Sequence, residues 1–207
     1  MSLKFYYSPM SSATRIHWAL EELGVPYEKI KVDLAAGEQK KPEYLALNPN
    51  GKVPLVVDDG MVIFESLAIL LYLGERYGVE KDLFPPPTPL RAEAFKWMAW
   101  ATATLGETGA RFMRHTSERF PAEQRNEKAG EAAKKEIGEQ LAILDAALAG
   151  KEYLVGDKFS LADLAIVSFV PFLARLGIDV GPYANIQAWV ARCMARPAMA
   201  RVMTGQA

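Results

Sequence analysis

Only one cysteine, Cys193, stands in 207 residues. A lone cysteine makes no internal disulfide and no cysteine-based metal cluster. Its scarcity fits a reducing compartment, so a cytoplasmic location is expected. An excess of charge is missing as well: 24 Lys and Arg stand against 25 Asp and Glu, a formal net charge of −1. That balance argues against nucleic acid or an anionic membrane as an electrostatic partner. No run reaches the roughly twenty apolar residues that a membrane-spanning helix requires. A strand pattern begins within a few residues of Met1. The basic start, apolar stretch and small-residue cleavage site of a secretory leader are therefore not expected. Half of the chain is apolar, and its length suffices for one or two domains with a real core.

The first part alternates strand and helix signals. "LKFYY" (3–7) is rich in β-formers. Ile16, Ala19, Leu20 and Leu23 follow at helical spacing, with Gly24 as a C-cap. In "YEKIKVDL", Ile30, Val32 and Leu34 alternate with charged residues, which predicts a strand with one wet face. "EQKKPEYLALNPNG" predicts a short irregular helix ending in a turn. "VPLVVDDGMVIFE" has two apolar runs around Asp58-Asp59-Gly60, a hairpin signal. "SLAILLYLGERYG" is apolar nearly all round, so that helix is packed on most sides. The order β-α-β-α-β-β-α thus fills residues 1–78.

"VEKDLFPPPTPL" then reads as a stiff extended linker over 79–89, because consecutive prolines cannot continue a helix. Everything from residue 90 reads as helix: 90–115, 122–149 with Ile137, Leu141, Leu144 and Leu148 on one stripe, a nearly all-apolar "FSLADLAIVSFVPFLARLG", then 183–195 and 197–203.

The first helix opens on Ser11 and Ser12, with no cysteine, histidine or acid beside them. A helix start leaves backbone N–H groups without intrahelical partners, and the macrodipole favours negative charge there. A serine at that point either caps the helix or donates its hydroxyl hydrogen to an anion held there. A nucleophilic role would need a base, and neither G-x-S-x-G nor a histidine pattern accompanies the pair.

Three further pieces suit one ligand. Val53-Pro54 opens a strand and is a candidate cis bond; it would turn the Val53 backbone N–H and C=O outward toward a peptide-like ligand. Glu65-Ser66 opens the third helix, where a hydroxyl and free N–H groups suit a carboxylate and the Glu65 side chain suits an ammonium. Lys40, Lys41 and Lys52 are placed for another carboxylate. Each piece has a plainer reading as a cap or a solvated face. Together they fit a small zwitterionic peptide with one anionic atom at the first helix.

With "SPMSSATRIHWALEELGVPYE", "GEQKKPEYLALNPNGKVPLVVDDGMVIFES" and "FSLADLAI" in this order, the sequence resembles the cytosolic glutathione S-transferases over essentially its whole length. It is most similar to their serine-type members, the plant phi branch and related bacterial enzymes. The resemblance implies an α/β thioredoxin-like N-terminal domain binding glutathione (1–78), the linker (79–89), an all-α C-terminal domain (90–207) and a homodimer. It puts the catalytic serine at Ser11, with Ser12 as second choice. It implies that Val53, Pro54, Glu65 and Ser66 hold the glutathione backbone and γ-glutamyl group, and that Gln39, Lys40 and Lys52 lie near the glycyl carboxylate. The second substrate, a hydrophobic electrophile, is expected among Met10, Leu34, Leu105, Gly109, Phe112, Met113 and His115, while Arg111 and Arg114 face water. Ser160 and Asp163 match a buried capping box, with Phe159 and Leu164 as its apolar staple. Asn50 stands where several branches carry an aromatic that anchors the dimer, so the sequence departs from the family pattern at that anchor. No metal or nucleotide is implied.

The thiolate that reacts is then glutathione's own. A hydroxyl donor plus the positive end of a helix lowers a thiol pKa of about 8.5. Two alternatives remain at this stage: glutathione-dependent reduction of disulfides or peroxides on the same scaffold, and a non-catalytic interaction module.

Overall fold

The computed structural model describes residues 2–204. Its contacts divide the chain into two units. One runs to Pro85 and takes in the chain from Arg196 onward; the other spans Pro86–Ala195.

The first unit is built on a four-stranded sheet of order β2-β1-β3-β4. Strand β1 (Leu3–Tyr7) pairs in parallel with β2 (Glu28–Lys31) and antiparallel with β3 (Leu55–Asp58), and β3 pairs antiparallel with β4 (Met61–Phe64). The β3–β4 loop is two residues, Asp59 and Gly60, with φ of 45° and 89°. Two positive φ angles in succession give the turn whose twist matches the strands, which is what Asp-Gly favours. Helix α1 (Ala13–Leu23) ends at Gly24 in the left-handed region (φ 58°), whose N–H returns to the Leu20 carbonyl. A short α2 (Pro42–Leu45) precedes β3, and α3 (Ser66–Leu73) follows β4. Phe5, Ile16, Trp18, Leu20, Leu55, Val56, Ile69, Leu70 and Leu73 are buried and form the interior.

The sequence ends the first domain at residue 78, but the chain stays with this unit a little further. Residues 74–78 extend α3 by one wide π-type turn, and 79–81 form a tight helical turn rather than an extended linker. Phe84 is buried against that turn. A Cβ on Gly74 would lie 2.7 Å from its ring and one on Gly78 3.0 Å from its Cβ, so both glycines make room for it. Pro89 is helical after all. It occupies the first turn of α4, where a missing N–H costs nothing.

In the second unit α4 (Pro89–Trp100) passes through a wide turn at 101–106 into α5 (Glu107–Thr116), covering the predicted helix 90–115. Helix α6 (Glu127–Ala147) is capped by Asn126, whose side chain accepts from Ala129 N–H at 3.0 Å. Its stripe of Ile137, Leu141 and Leu144, continued by Leu148, is buried. The predicted apolar helix breaks into α7 (Leu161–Val167) and α8 (Val170–Arg175). Pro171 has no N–H for the Val167 carbonyl, so the first helix ends there. The capping box forms as expected: Asp163 accepts from Ser160 N–H and Oγ–H, both at 3.0 Å, and Ala162 N–H donates to Ser160 Oγ at 3.2 Å. Asp163 also accepts from Leu154 N–H and the Trp189 indole, both at 2.9 Å. Trp189 lies on α9 (Ala184–Met194).

Helix α10 (Pro197–Thr204) does not stay with the helical unit, where the sequence put it. It returns to the first unit and lies along α1. No helix among the described residues is long and apolar enough to cross a membrane.

Candidate functional site

The β1–α1 turn places two hydroxyls at the start of α1. Met10 turns the chain with a positive φ of 54° and is 86% exposed. Ser11 Oγ–H donates to the Ser8 carbonyl at 2.7 Å, and Ser11 Oγ accepts from Ala13 N–H at 3.2 Å. The capping role therefore falls to Ser11. Ser12 is exposed and caps nothing with its side chain. Its Oγ–H points at the Val53 carbonyl, 3.4 Å away. Of the two readings of the pair, the cap is filled by Ser11.

Val53-Pro54 is cis, at the head of β3. The chain just before it is tied down: Tyr44 Oη–H and Asn48 Nδ2–H both donate to the Lys52 carbonyl at 2.7 Å. Tyr44 and Asn48 are buried and escaped the sequence reading. Asn48 begins the N-P-N-G turn, and an asparagine that starts a turn commonly bonds backbone nearby. Gly51 closes the turn at φ 56°, where a Cβ would fall 2.7 Å from Lys40 Nζ and 2.8 Å from the Gln39 carbonyl. Lys40 thus lies across Gly51, its ammonium 3.4 Å from the Asn50 carbonyl. Gln39 Nε2–H reaches the Leu34 carbonyl at 3.4 Å, while its Oε1 is buried without a partner. Gln39, Lys40 and the backbone leading to Lys52 are therefore gathered at one corner.

Glu65 precedes α3 with φ 69° and ψ 120°, a region that non-glycine residues rarely adopt. Such strain collects at ligand-binding positions. No side chain caps α3, so its first N–H groups are left without intrahelical partners.

Behind the serines, His17 is buried in a cage of Phe5, Tyr7 and Tyr27, with ring centres 6.0–6.3 Å away. Burial, then the charge of Lys29, holds its pKa below the usual 6.5, against a smaller opposing pull from Glu21. His17 is neutral packing rather than a base for either serine.

The residues expected around a second substrate are divided between the two units of the chain. Met10 and Leu34 are exposed apolar surface on the first unit. Leu105 is buried, and a Cβ on Gly109 would lie 3.1 Å from Leu173, so the glycine makes room for helix packing. Met113 is partly exposed. Phe112 and His115 line a groove of about 580 Å³ between α5 and α6. Arg111 does not simply face water; it pairs with Glu136 on α6 and lies 3.6 Å from Glu107. Arg114 lies over the Phe120 ring at 5.9 Å.

The site therefore brings together the Ser12 hydroxyl at a helix start, the cis Val53-Pro54 bond beside it, a second helix start preceded by Glu65, and the Lys40 ammonium at the N-P-N-G turn. Comparison with known proteins identifies the family. Residues 1–75 match the family model of the glutathione S-transferase N-terminal domain, and 102–197 match that of the C-terminal domain. "Glutathione S-transferase GstB" of Escherichia coli is 37% identical over 195 residues, 93% of each chain. The glutathione transferase URE2P8 from Phanerochaete chrysosporium, crystallised with oxidized glutathione, superposes with a TM-score of 0.89 at 27% identity, covering 99% of this chain and 94% of that one. A glutathione transferase from Burkholderia graminis, with two glutathione molecules per subunit, gives 0.88 at 29% identity, covering 98% and 87%. A match of this extent to both domain models and to a full-length relative shows that the chain belongs to the glutathione S-transferase family.

Proposed function

We propose that this chain binds glutathione at the β1–α1 turn, Val53 and the start of α3, and that a serine hydroxyl there stabilises the glutathione thiolate for attack on a hydrophobic electrophile. The observation that carries the reading is the approach of the Ser12 hydroxyl to the Val53 carbonyl, 3.4 Å. It brings the start of α1 beside the backbone rung on which a peptide would lie.

Each corner takes one part of the tripeptide. Val53 pairs with its backbone. Ser66 and the free N–H groups of α3 take the γ-glutamyl carboxylate, and Glu65 takes the ammonium. Lys40 and Lys52 take the glycyl carboxylate, with Gln39 beside them. The thiol releases its proton to water. The sulfur then bonds to the electrophilic carbon as the leaving group departs with its electron pair. Lowering the thiol pKa by one to two units corresponds to about 1.4–2.7 kcal/mol. One charge-assisted hydrogen bond and a helix start supply that amount.

The family pattern names Ser11 first. The bond lengths favour Ser12 as the donor. Turning Ser11 toward sulfur breaks a 2.7 Å bond and a cap, whereas turning Ser12 gives up a contact of 3.4 Å. Met10 and Leu34 supply the apolar edge for the electrophile. Glutathione titrated into the protein tests the reading: thiolate absorbance near neutral pH is expected from the wild type and is lost in Ser12→Ala.

A second reading is reduction of disulfides by two glutathione molecules, which leaves oxidized glutathione and two thiols. The similar structures crystallised with oxidized glutathione or with two glutathione molecules favour it. Assay of aryl halides beside low-molecular-weight disulfides separates the two.

The chain is proposed to act as a cytoplasmic homodimer. Met61 and Val62 on edge strand β4, and Leu90 and Phe95 on α4, are exposed apolar residues of the kind that a partner covers. Sedimentation at micromolar concentration is expected to give twice the chain mass, and Phe95→Asp a lower one.

A further inference from the structure

The C-terminal end of helix α1 is fastened by ion pairs from the end of the chain. Its last turn carries two carboxylates, Glu21 and Glu22, at the negative pole of the helix, where acids are unfavourable by themselves. Both side chains are nearly buried, 12% and 6% exposed, so each needs partners. The partners come from about 180 residues away in sequence. Arg196 grips Glu22 with both prongs of its guanidinium, Nε at 2.7 Å and Nη2 at 2.8 Å, and the Trp18 indole adds a third donor at 2.9 Å. Arg201 on α10 donates to the Glu21 carboxylate at 2.6 Å and to the Glu21 backbone carbonyl at 3.0 Å. The second bond satisfies a carbonyl that the helix end leaves open. Tyr27 Oη–H donates to Glu21 at 2.7 Å as well.

The opposite end is held by packing and by the Ser11 cap: Ala13 and Ile16 are buried, and Ala13 N–H donates to Ser11 Oγ at 3.2 Å. Ser12 makes no side-chain cap, and its hydroxyl lies 3.4 Å from the Val53 carbonyl. From Glu21 to Ser12 is about 14 Å along a rigid rod. The helix that presents the hydroxyls is therefore held at its far end by the return of the chain after the helical unit.

We propose that Arg196 and Arg201 are positioning residues for the glutathione site: the α10 clamp on Glu21 and Glu22 sets where the hydroxyl-bearing start of α1 stands against Val53. The inference rests on the proposed role of that helix start. A clamp that only added stability would leave the bound thiol unchanged.

Two readouts on the intact chain separate these cases. The first is the pKa of the bound glutathione thiol, followed by thiolate absorbance against pH in the wild type, Arg201→Met and Arg196→Met. The second is hydrogen exchange at the amides of Ala13, Thr14 and Arg15. With the clamp broken, bound thiol pKa rises by about half a unit or more, kcat at neutral pH falls about three- to tenfold and recovers at higher pH, and KM for glutathione changes less than kcat. The amides at the start of α1 exchange about tenfold faster. Arg201→Lys, which keeps the charge and one donor, recovers most of the wild-type behaviour. If Arg196→Met does not fold, Arg201→Met carries the test, because its side chain is the more exposed of the two, 44% against 30%. Unchanged thiol pKa and unchanged exchange at 13–15 in a folded Arg201→Met protein overturn the proposal. Faster exchange in the variant, with no thiolate even in the wild type, instead upholds the clamp and overturns the serine reading.

Discussion

The Ser12 hydroxyl stands 3.4 Å from the Val53 carbonyl oxygen, well beyond an ordinary O–H···O hydrogen bond. The neighbouring Ser11 hydroxyl, by contrast, makes a full bond of 2.7 Å to Ser8. The difference supports the two roles proposed for the pair. Ser11 locks the turn, and Ser12 keeps a hydrogen that a ligand can redirect. Ser11→Ala is expected to lower stability by about 1 kcal/mol, the usual cost of a lost cap, and to leave bound thiolate in place. Urea denaturation and glutathione titration on the same variant check both halves.

Lys40 crosses Gly51 and ends near the Asn50 carbonyl, a long 3.4 Å contact, and it is proposed to meet the glycyl carboxylate. Lys40→Ala is expected to raise KM for glutathione about three- to tenfold with kcat nearly unchanged, the mark of an interaction equal in ground and transition state. The increase shrinks in high salt, because the group is exposed. Steady-state kinetics at two ionic strengths decide it.

Asp163 gathers four donors in the interior of the helical unit: Leu154 N–H, Ser160 N–H, Ser160 Oγ–H and the Trp189 indole. Removing the acceptor strands them all. Asp163→Ala is expected to lose about 3–5 kcal/mol in chemical denaturation. Trp189 emission shifts to longer wavelength at a lower denaturant concentration than in the wild type.

Two groups of α1 give stability a pH dependence. Burial, followed by the Lys29 charge, depresses the pKa of His17 in the folded chain below 6.5. The unfolded chain then takes up a proton first as pH falls. The contribution of neutral His17 is complete above about pH 6.5 and declines below it, down to the lowered folded value. Glu21 behaves similarly at lower pH. Burial opposes its charge, but hydrogen bonds from Arg201 and Tyr27 and the charge of Arg201 hold it below 4.5. Its contribution is complete above about 4.5 and is lost as pH falls through the lowered folded value. Urea midpoints of the wild type are expected to fall from pH 6.5 downward. His17→Phe flattens the upper part of that decline; an unchanged slope there contradicts the assignment.

Most of this architecture was legible in the chain. Alternation found the strands, Asp59-Gly60 the hairpin, and Ser160 with Asp163 the capping box, because each is a local preference that the tertiary structure reinforces. What was hidden depended on distant parts of the chain. The charges of Arg196 and Arg201 look like ordinary surface until α10 is laid on α1. Leu105 and Gly109 share a helical stripe with Phe112, and periodicity alone cannot tell a stripe that meets another helix from one that meets a ligand. Pro89 was read as a break because it follows a proline run, yet the first turn of a helix accepts it.

The most direct test of the account is the ultraviolet absorbance of glutathione bound to the wild-type chain and to Ser12→Ala, followed from pH 5 to 9. The account predicts thiolate in the wild-type complex at least one pH unit below that of free glutathione, and a return toward the free value in Ser12→Ala with binding retained. Bound glutathione that titrates as free glutathione does, in both proteins, contradicts it.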